Sequence, residues 1–131
     1  MIQAFSLEHK VNKYGDPMKQ TGKLDYLELP AVGGTLDSVK AFYSSAFGWA
    51  FTDYGPTYSA FEEGLDGGFH TDAIEGSLKP LPVLYSDDLE ATLSGVESAG
   101  GKIVKPIFSF PGGRRFHFLD PAGNELAVWG E

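Results

Sequence analysis

The stretch LDSVKAFYSSAFG (residues 36–48) has a counterpart 53 positions later, LEATLSGVESAGG (residues 89–101). In both stretches apolar residues recur at intervals of three and four and a glycine stands at the end, which is typical of an amphipathic helix with a glycine stop. When the two are laid on each other, identical residues coincide at Leu36 and Leu89, Ser45 and Ser98, Ala46 and Ala99, and Gly48 and Gly101. This coincidence predicts a tandem repeat.

The same kinds of short strand surround each predicted helix. LDYLELPA and LPVLYS come before the helices, and three apolar or aromatic runs separated by turn residues come after each. These runs are WAFTDY, TYSAFEE and GGFHTD in the first repeat, and KIVKPIFSF, RRFHFLD and NELAVW in the second. The order predicts an α+β fold of two tandem βαβββ units, about 24–72 and 80–131, within one domain spanning 24–131. Residues 1–23 show no sustained period and are predicted to be an N-terminal arm.

Composition limits the kinds of function that are expected. The chain has 131 residues, no cysteine and a formal net charge of −8, while residues 1–23 carry four Lys against Glu8 and Asp16, which leaves −10 on the rest. An acidic body repels phosphate backbones, so we expect a small-molecule ligand and no nucleic-acid partner. The absence of cysteine fits a reducing compartment, and no apolar run is long enough to span a membrane. We therefore expect a cytoplasmic protein with no membrane partner.

Three motifs indicate a family. AFYSSAFGW at the end of the first helix, DDLEAT with AGGKI around the second, and DPAGNELAVW near the end of the chain resemble the vicinal oxygen chelate superfamily of glyoxalases, bleomycin-resistance proteins and extradiol dioxygenases. The resemblance covers 24–131. It implies curved, antiparallel-rich sheets that enclose a cavity, with helices on the outer face. It also implies a homodimer, which the basic arm could support by contacting an acidic neighbouring body.

The same resemblance implies a divalent metal held by His or Glu side chains on the first and last strands of each unit. The matching positions here are Tyr26, Leu81, Ala127 and a loosely aligned position near Gly68. A phenol must lose its proton at a pKa of about 10 before it binds a hard cation, and Leu81 and Ala127 have no donor, while the fourth position is ambiguous. We therefore expect no metal cofactor. His70, two residues beyond Gly68, is expected to be exposed.

Strand alternation selects candidate site residues. Glu28 shares a face with Tyr26, so it could act as a general base or accept a ligand's donor. If Phe116 and Phe118 face the helices, Arg115 and His117 face the cavity, where Arg115 could bind a carboxylate or phosphate and His117 could transfer a proton. Purely structural roles stay open as alternatives, because Glu28 could form a salt bridge at the cavity rim and His117 a structural hydrogen bond.

The last strand and the Arg pair complete the candidates. Glu125 and Trp129 are expected on the concave side, with Glu125 at the rim and Trp129 in contact with ligand. Arg114 is expected to pair with an acidic neighbour, because the body carries −10.

Three hypotheses follow from these residues. The first is a protein that binds a small aromatic or anionic molecule without a metal, in a cavity lined by Tyr26, Glu28, Arg115, His117 and Trp129. In this hypothesis Glu28 and His117 are the catalytic candidates, should the protein be an enzyme. The second is a metal-dependent lyase or isomerase of the glyoxalase type, with displaced ligands His70, Glu28, His117 and Glu125. The third is a non-catalytic dimeric subunit with a vestigial cavity.

Overall fold

A computed structural model describes residues 19–32, 36–72 and 78–131 of the chain. The elements follow the predicted order, in which a strand, a helix and three strands occur twice. The first unit contains β1 (Leu24–Pro30), α1 (Leu36–Phe47), β2 (Thr52–Asp53), β3 (Tyr58–Glu62) and β4 (Asp66–His70). The second contains β5 (Leu81–Tyr85), α2 (Leu89–Ser98), β6 (Lys102–Phe110), β7 (Gly113–Leu119) and β8 (Glu125–Gly130).

The strands form one mixed sheet in the order β2-β3-β4-β1-β5-β8-β7-β6. Within each unit the first strand pairs in parallel with the last, β1 with β4 and β5 with β8, while the other pairs are antiparallel. The units meet where β1 pairs antiparallel with β5. This arrangement confirms the prediction of an α+β fold built from two βαβββ repeats.

Side-chain alternation divides the sheet into two faces. One face packs under the helices, where Phe61 and Phe69 contact the α1 side and Phe116 and Val128 contact the α2 side. Burial of these aromatic and branched side chains stabilises the fold, because each fully buried one contributes roughly 1.5–3 kcal/mol. We call the opposite face, which no described helix covers, the open face.

A smaller apolar cluster lies at the centre of the open face. Leu81, Val83 and Ala127 are almost fully buried there, with Tyr26 and Trp129 packed against them. Paired residues of neighbouring strands point to the same face, and Tyr26 pairs with Val83, which pairs with Ala127. Two predicted metal-ligand positions, Leu81 and Ala127, are therefore apolar parts of the floor of this face.

Part of the predicted arm is visible. Residues 1–18 lie outside the described residues, but Thr21 contacts the second unit, where its hydroxyl donates to Asp87 at 2.8 Å and accepts from the Asp87 backbone N–H at 2.9 Å. Lys19 Nζ lies 2.7 Å from Asp25 Oδ1. Over the described ranges, no helix is both long and apolar enough to cross a membrane.

Candidate functional site

Two adjoining cavities occupy the open face. Their volumes are about 1030 Å³ and 710 Å³, and they share a wall made by Glu28, Tyr58, Phe110, Pro111 and Arg115. The larger cavity is completed by Thr57, His70, Thr71, Asp72, Val104, Lys105, Pro106 and Phe108. The smaller one is completed by Lys19, Asp25, Tyr26, Tyr54, Asp66, Gly112 and Trp129. Cavities of this size suit small organic ligands.

The shared wall contains an ion pair that crosses the open face. Glu28 on β1 and Arg115 on β7 belong to strands separated by β5 and β8, yet their side chains meet above the apolar floor. The two guanidinium–carboxylate distances are 3.4 and 3.5 Å, while the side chains are only 11% and 16% exposed. Charged hydrogen bonds are normally about 2.7–2.9 Å long, so this pair is stretched and retains hydrogen-bonding capacity.

Aromatic rings surround the guanidinium. The Arg115 Cζ lies 5.5 Å from the ring centres of both Phe108 and Phe110, within the range of cation–π attraction. Its Nε is buried and, among the described residues, has no hydrogen-bond partner. Arg114 turns away from the cavities and pairs with Glu90 at 2.6 Å, in line with its expected partner type.

A pair of phenols lies beside this ion pair. The hydroxyls of Tyr26 on β1 and Tyr58 on β3 are hydrogen bonded at 2.5 Å, and they meet across β4 at Gly68. A β-carbon at Gly68 would overlap the Tyr58 phenol, so only glycine leaves room for this contact. Burial is the main cause that raises the pKa of both phenols, with Glu28 adding to it. Both are therefore neutral hydrogen-bonding groups around neutral pH.

His117 is held apart from the cavities. It is 1% exposed, its Nδ1 lies 2.8 Å from Glu125 Oε2, and the ring of Phe108 covers it at 5.8 Å between centres. Burial lowers the pKa of His117, and the Glu125 bond opposes this only in part. Its Nε2 is buried without a hydrogen-bond partner among the described residues, and His117 lines neither cavity.

Trp129 forms the far wall of the smaller cavity. Its indole N–H donates to Asp25 Oδ2 at 2.8 Å, and Lys19 Nζ lies 5.7 Å from the ring centre. The structure thus brings Tyr26, Glu28, Arg115 and Trp129 together around one cavity.

Tyr58, Phe108 and Phe110 also line the cavities and are not among the predicted site residues. Parity along β3 could have selected Tyr58, because Tyr58 and Phe61 lie three apart and must face opposite sides.

The expectation that His70 is exposed is wrong. The side chain is 6% exposed and lines the larger cavity, and its Nδ1 accepts a hydrogen bond from the Asp72 backbone at 3.0 Å. His70 pairs with Pro30 on one side and Tyr58 on the other, so it lies in the interior of the sheet. Position in the sheet, rather than the adjoining polar segment, determines its burial.

The residues present do not fit the divalent metal that the resemblance implies. Of the four matching positions, Gly68, Leu81 and Ala127 offer no side-chain donor, and burial raises the pKa of the Tyr26 phenol. Throughout residues 19–32, 36–72 and 78–131, no three His, Asp or Glu side chains are grouped so that they could hold a metal ion. The displaced ligands of the second hypothesis are therefore not assembled into a site.

Comparison with known proteins gives a consistent family. The model described as "Glyoxalase/Bleomycin resistance protein/Dioxygenase superfamily" matches residues 23–128. "Putative glyoxylase CFP32" of Mycobacterium bovis is 28% identical over 104 residues, which cover 70% of this chain and only 40% of that relative.

Solved structures share the fold at low identity. A superfamily member from Vibrio splendidus 12B01 has a TM-score of 0.59 at 15% identity, covering 81% of this chain and 97% of that one. A Legionella pneumophila structure described as an NAD-dependent benzaldehyde dehydrogenase has a TM-score of 0.66 at 14% identity, covering 79% and 96%. Similarity at this level concerns the fold and not the ligand.

Proposed function

Because the chain belongs to the glyoxalase/bleomycin resistance protein/dioxygenase superfamily, we propose that it binds a small aromatic or anionic molecule on the open face through protein side chains alone. The observation that carries this proposal is the stretched ion pair between Glu28 and Arg115 in the wall common to two cavities.

Desolvation explains why this pair favours a binding role. Removing two charges from water costs several kcal/mol per ion, and close contact with good geometry is needed to offset that cost. Here the contacts are 3.4 and 3.5 Å and Arg115 Nε has no described partner, so much of that cost is not offset within the protein. A ligand that inserts polar atoms beside the pair would gain the missing interactions.

The walls determine which molecules fit. Phe108 and Phe110 flank Arg115, and Trp129 closes the smaller cavity, so a flat ring can contact aromatic surface on both sides of the ion pair. Aromatic contacts of this kind contribute roughly 0.5–1.5 kcal/mol beyond the area they bury. A group that accepts hydrogen bonds, whether anionic or neutral, would lie beside Arg115.

Catalysis is a separate part of the proposal. Glu28 lines both cavities and is the stronger candidate for a general base, because a base must reach the proton that it removes. His117 is 1% exposed and lines neither cavity, so it is the weaker candidate. Homodimerisation and a cytoplasmic location stay predictions, and light scattering in solution tests the first.

A ligand screen with matched variants tests the binding role. A molecule that binds only the folded state at 100 times its Kd stabilises it by about 2.7 kcal/mol, which raises Tm by roughly 8–16 °C. Hits from a metabolite panel should lose most of this shift in Arg115→Gln and keep it in Arg114→Gln. Hits with equal shifts in both variants would place the ligand elsewhere.

Metal content separates the proposal from the metal-dependent alternative. The protein purified without chelator is expected to contain divalent metal far below one equivalent by elemental analysis. Stoichiometric Ni, Zn or Mn would contradict binding through side chains alone.

A further inference from the structure

The smaller cavity joins the phenol pair to the ion pair. Tyr26, Tyr58, Glu28 and Arg115 all line it, and Tyr58, Glu28 and Arg115 line the larger cavity as well. A ligand group seated here therefore meets a phenol, a carboxylate and a guanidinium at once. On the sheet this is also where the family resemblance implies a metal, and Tyr58 occupies the space above Gly68 that a longer side chain would fill.

The phenol pair has one proton to donate. Both phenols are protonated around neutral pH, because burial raises their pKa. The bond between Tyr26 and Tyr58 uses one of the two hydroxyl protons and leaves the other for an acceptor. A neutral carbonyl oxygen can accept this O–H, because the acceptor does not need a full negative charge.

Charge in the cavities is close to balanced. The described acidic wall residues are Asp25, Glu28, Asp66 and Asp72, and the basic ones are Lys19, Lys105 and Arg115. Asp25 is paired with Lys19, and Glu28 with Arg115. An anion attracted by Arg115 is repelled by Glu28 at nearly the same distance, and a cation meets the reverse. An uncharged group that both donates and accepts hydrogen bonds can bind to the carboxylate, the guanidinium and the phenol, and neither charge repels it.

We propose that these four residues recognise an uncharged amide-type group, a carbonyl with an adjacent N–H, carried on an aromatic ring. The carbonyl oxygen accepts from the phenol pair and from Arg115, and the N–H donates to Glu28. The ring lies against Phe110 and Trp129. This inference rests on the proposed binding function and names its ligand class.

Three probes of the same shape test the inference, namely benzamide, benzoate and benzamidine. The protein has two tryptophans, so nuclear magnetic resonance shows two indole N–H signals, one from Trp129 in the cavity wall and one from Trp49 in the core under α1. Titration should move the Trp129 signal and leave the Trp49 signal in place. Benzamide should bind several-fold more tightly than benzoate and benzamidine.

Variants identify which groups recognise the probe. Tyr26→Phe combined with Tyr58→Phe keeps both rings and should weaken benzamide binding roughly three- to tenfold, as expected for one neutral hydrogen bond. Tyr43→Phe removes the same atom from the helix side of the sheet and should change nothing. Glu28→Gln removes the charge that opposes an anion beside Arg115, so benzoate should then bind more tightly than benzamidine.

Outcomes separate this inference from the proposed function. Tightest binding of benzoate by the wild type, or unchanged benzamide binding in the double variant, overturns the amide inference while ligand binding stands. No movement of the Trp129 signal with any probe overturns the amide inference, whereas the proposed function is overturned only if no molecule of the metabolite panel gives a Tm shift that depends on Arg115. If the double variant does not fold, the order of the three probes in the wild type and in Glu28→Gln decides the matter.

Discussion

Replacing Gly68 with alanine should separate the phenols and destabilise the protein. An added β-carbon would lie 2.5 and 2.6 Å from Cζ and Cε1 of Tyr58 and closer still to its hydroxyl. Carbon atoms do not approach so closely, so the Tyr58 ring must move and its bond to Tyr26 must break.

The expected change in the free energy of unfolding is the sum of opposing contributions. Overpacking costs about 1–3 kcal/mol, and breaking a neutral hydrogen bond contributes to the same range. Gly→Ala also reduces the entropy of the unfolded chain, which returns about 0.4–1 kcal/mol at a backbone conformation that alanine accepts. The φ of Gly68 is not positive, so this gain applies. We expect the free energy of unfolding to fall by roughly 1–2 kcal/mol and Tm by roughly 3–12 °C.

Urea unfolding of four proteins checks the cause. Gly68→Ala, Tyr58→Ala and the double variant complete a cycle with the wild type, and the coupling should be about 1 kcal/mol, because the added methyl has room once the ring is gone. Gly95→Ala is the control, since Gly95 lies in α2 with open space around it, and it should stabilise by about 0.5–1 kcal/mol. Wild-type stability in Gly68→Ala, or additive effects in the cycle, would refute the account of the phenol contact.

Three further predictions concern pH and helix capping. Burial raises the pKa of Tyr26 and Tyr58 above the ordinary 10.0, so their contribution to stability is intact below that pH and lost as the pH rises above it. Absorbance titration should show two phenols that ionise at higher pH than the others, and their signal should be absent in the double Phe variant. Burial lowers the pKa of His117 below 6.5, so its contribution to the free energy of unfolding is present above pH 6.5 and lost as the pH falls. Urea unfolding from about pH 7 to about pH 5 should therefore show a weaker pH dependence in His117→Gln than in the wild type. Asp88 caps α2 by accepting from a backbone N–H at 3.0 Å, so Asp88→Ala should cost about 1 kcal/mol in thermal unfolding, and Asp87→Ala should cost less.

The repeat could be predicted because it rests on local patterns. Helix periodicity, glycine stops and strand alternation are properties of neighbouring residues, and the strands that they predict are the ones that form the sheet. The face to which each β7 side chain points could also be predicted, because the opposite orientation would place Arg115 and His117 in the apolar layer under α2. The structure has Phe116 fully buried there and Arg115 on the open face.

Strict alternation does not predict the face of a side chain where the register of a strand shifts. The register of β6 against β7 shifts between Lys105 and Phe108, around Pro106, which has no N–H for the ladder. The shift turns Phe108 to the open face, beside Arg115 and over His117, whereas strict alternation from Lys105 would turn it under the helix. The contact of Phe108 with His117 therefore depends on this register shift.

Comparing metal-ligand positions one at a time can predict that a site is lost but not what replaces it. Tyr26, Leu81 and Ala127 each indicate poor chelation, and that expectation needs only the identity of each residue. The replacement depends on Tyr58, a residue on a different strand that reaches over Gly68 to the Tyr26 hydroxyl. Gly68 is therefore important for the side chain that it lacks, because that absence leaves the space that the second phenol occupies. This role follows from the pairing of β3 with β4 and not from the residue's identity alone.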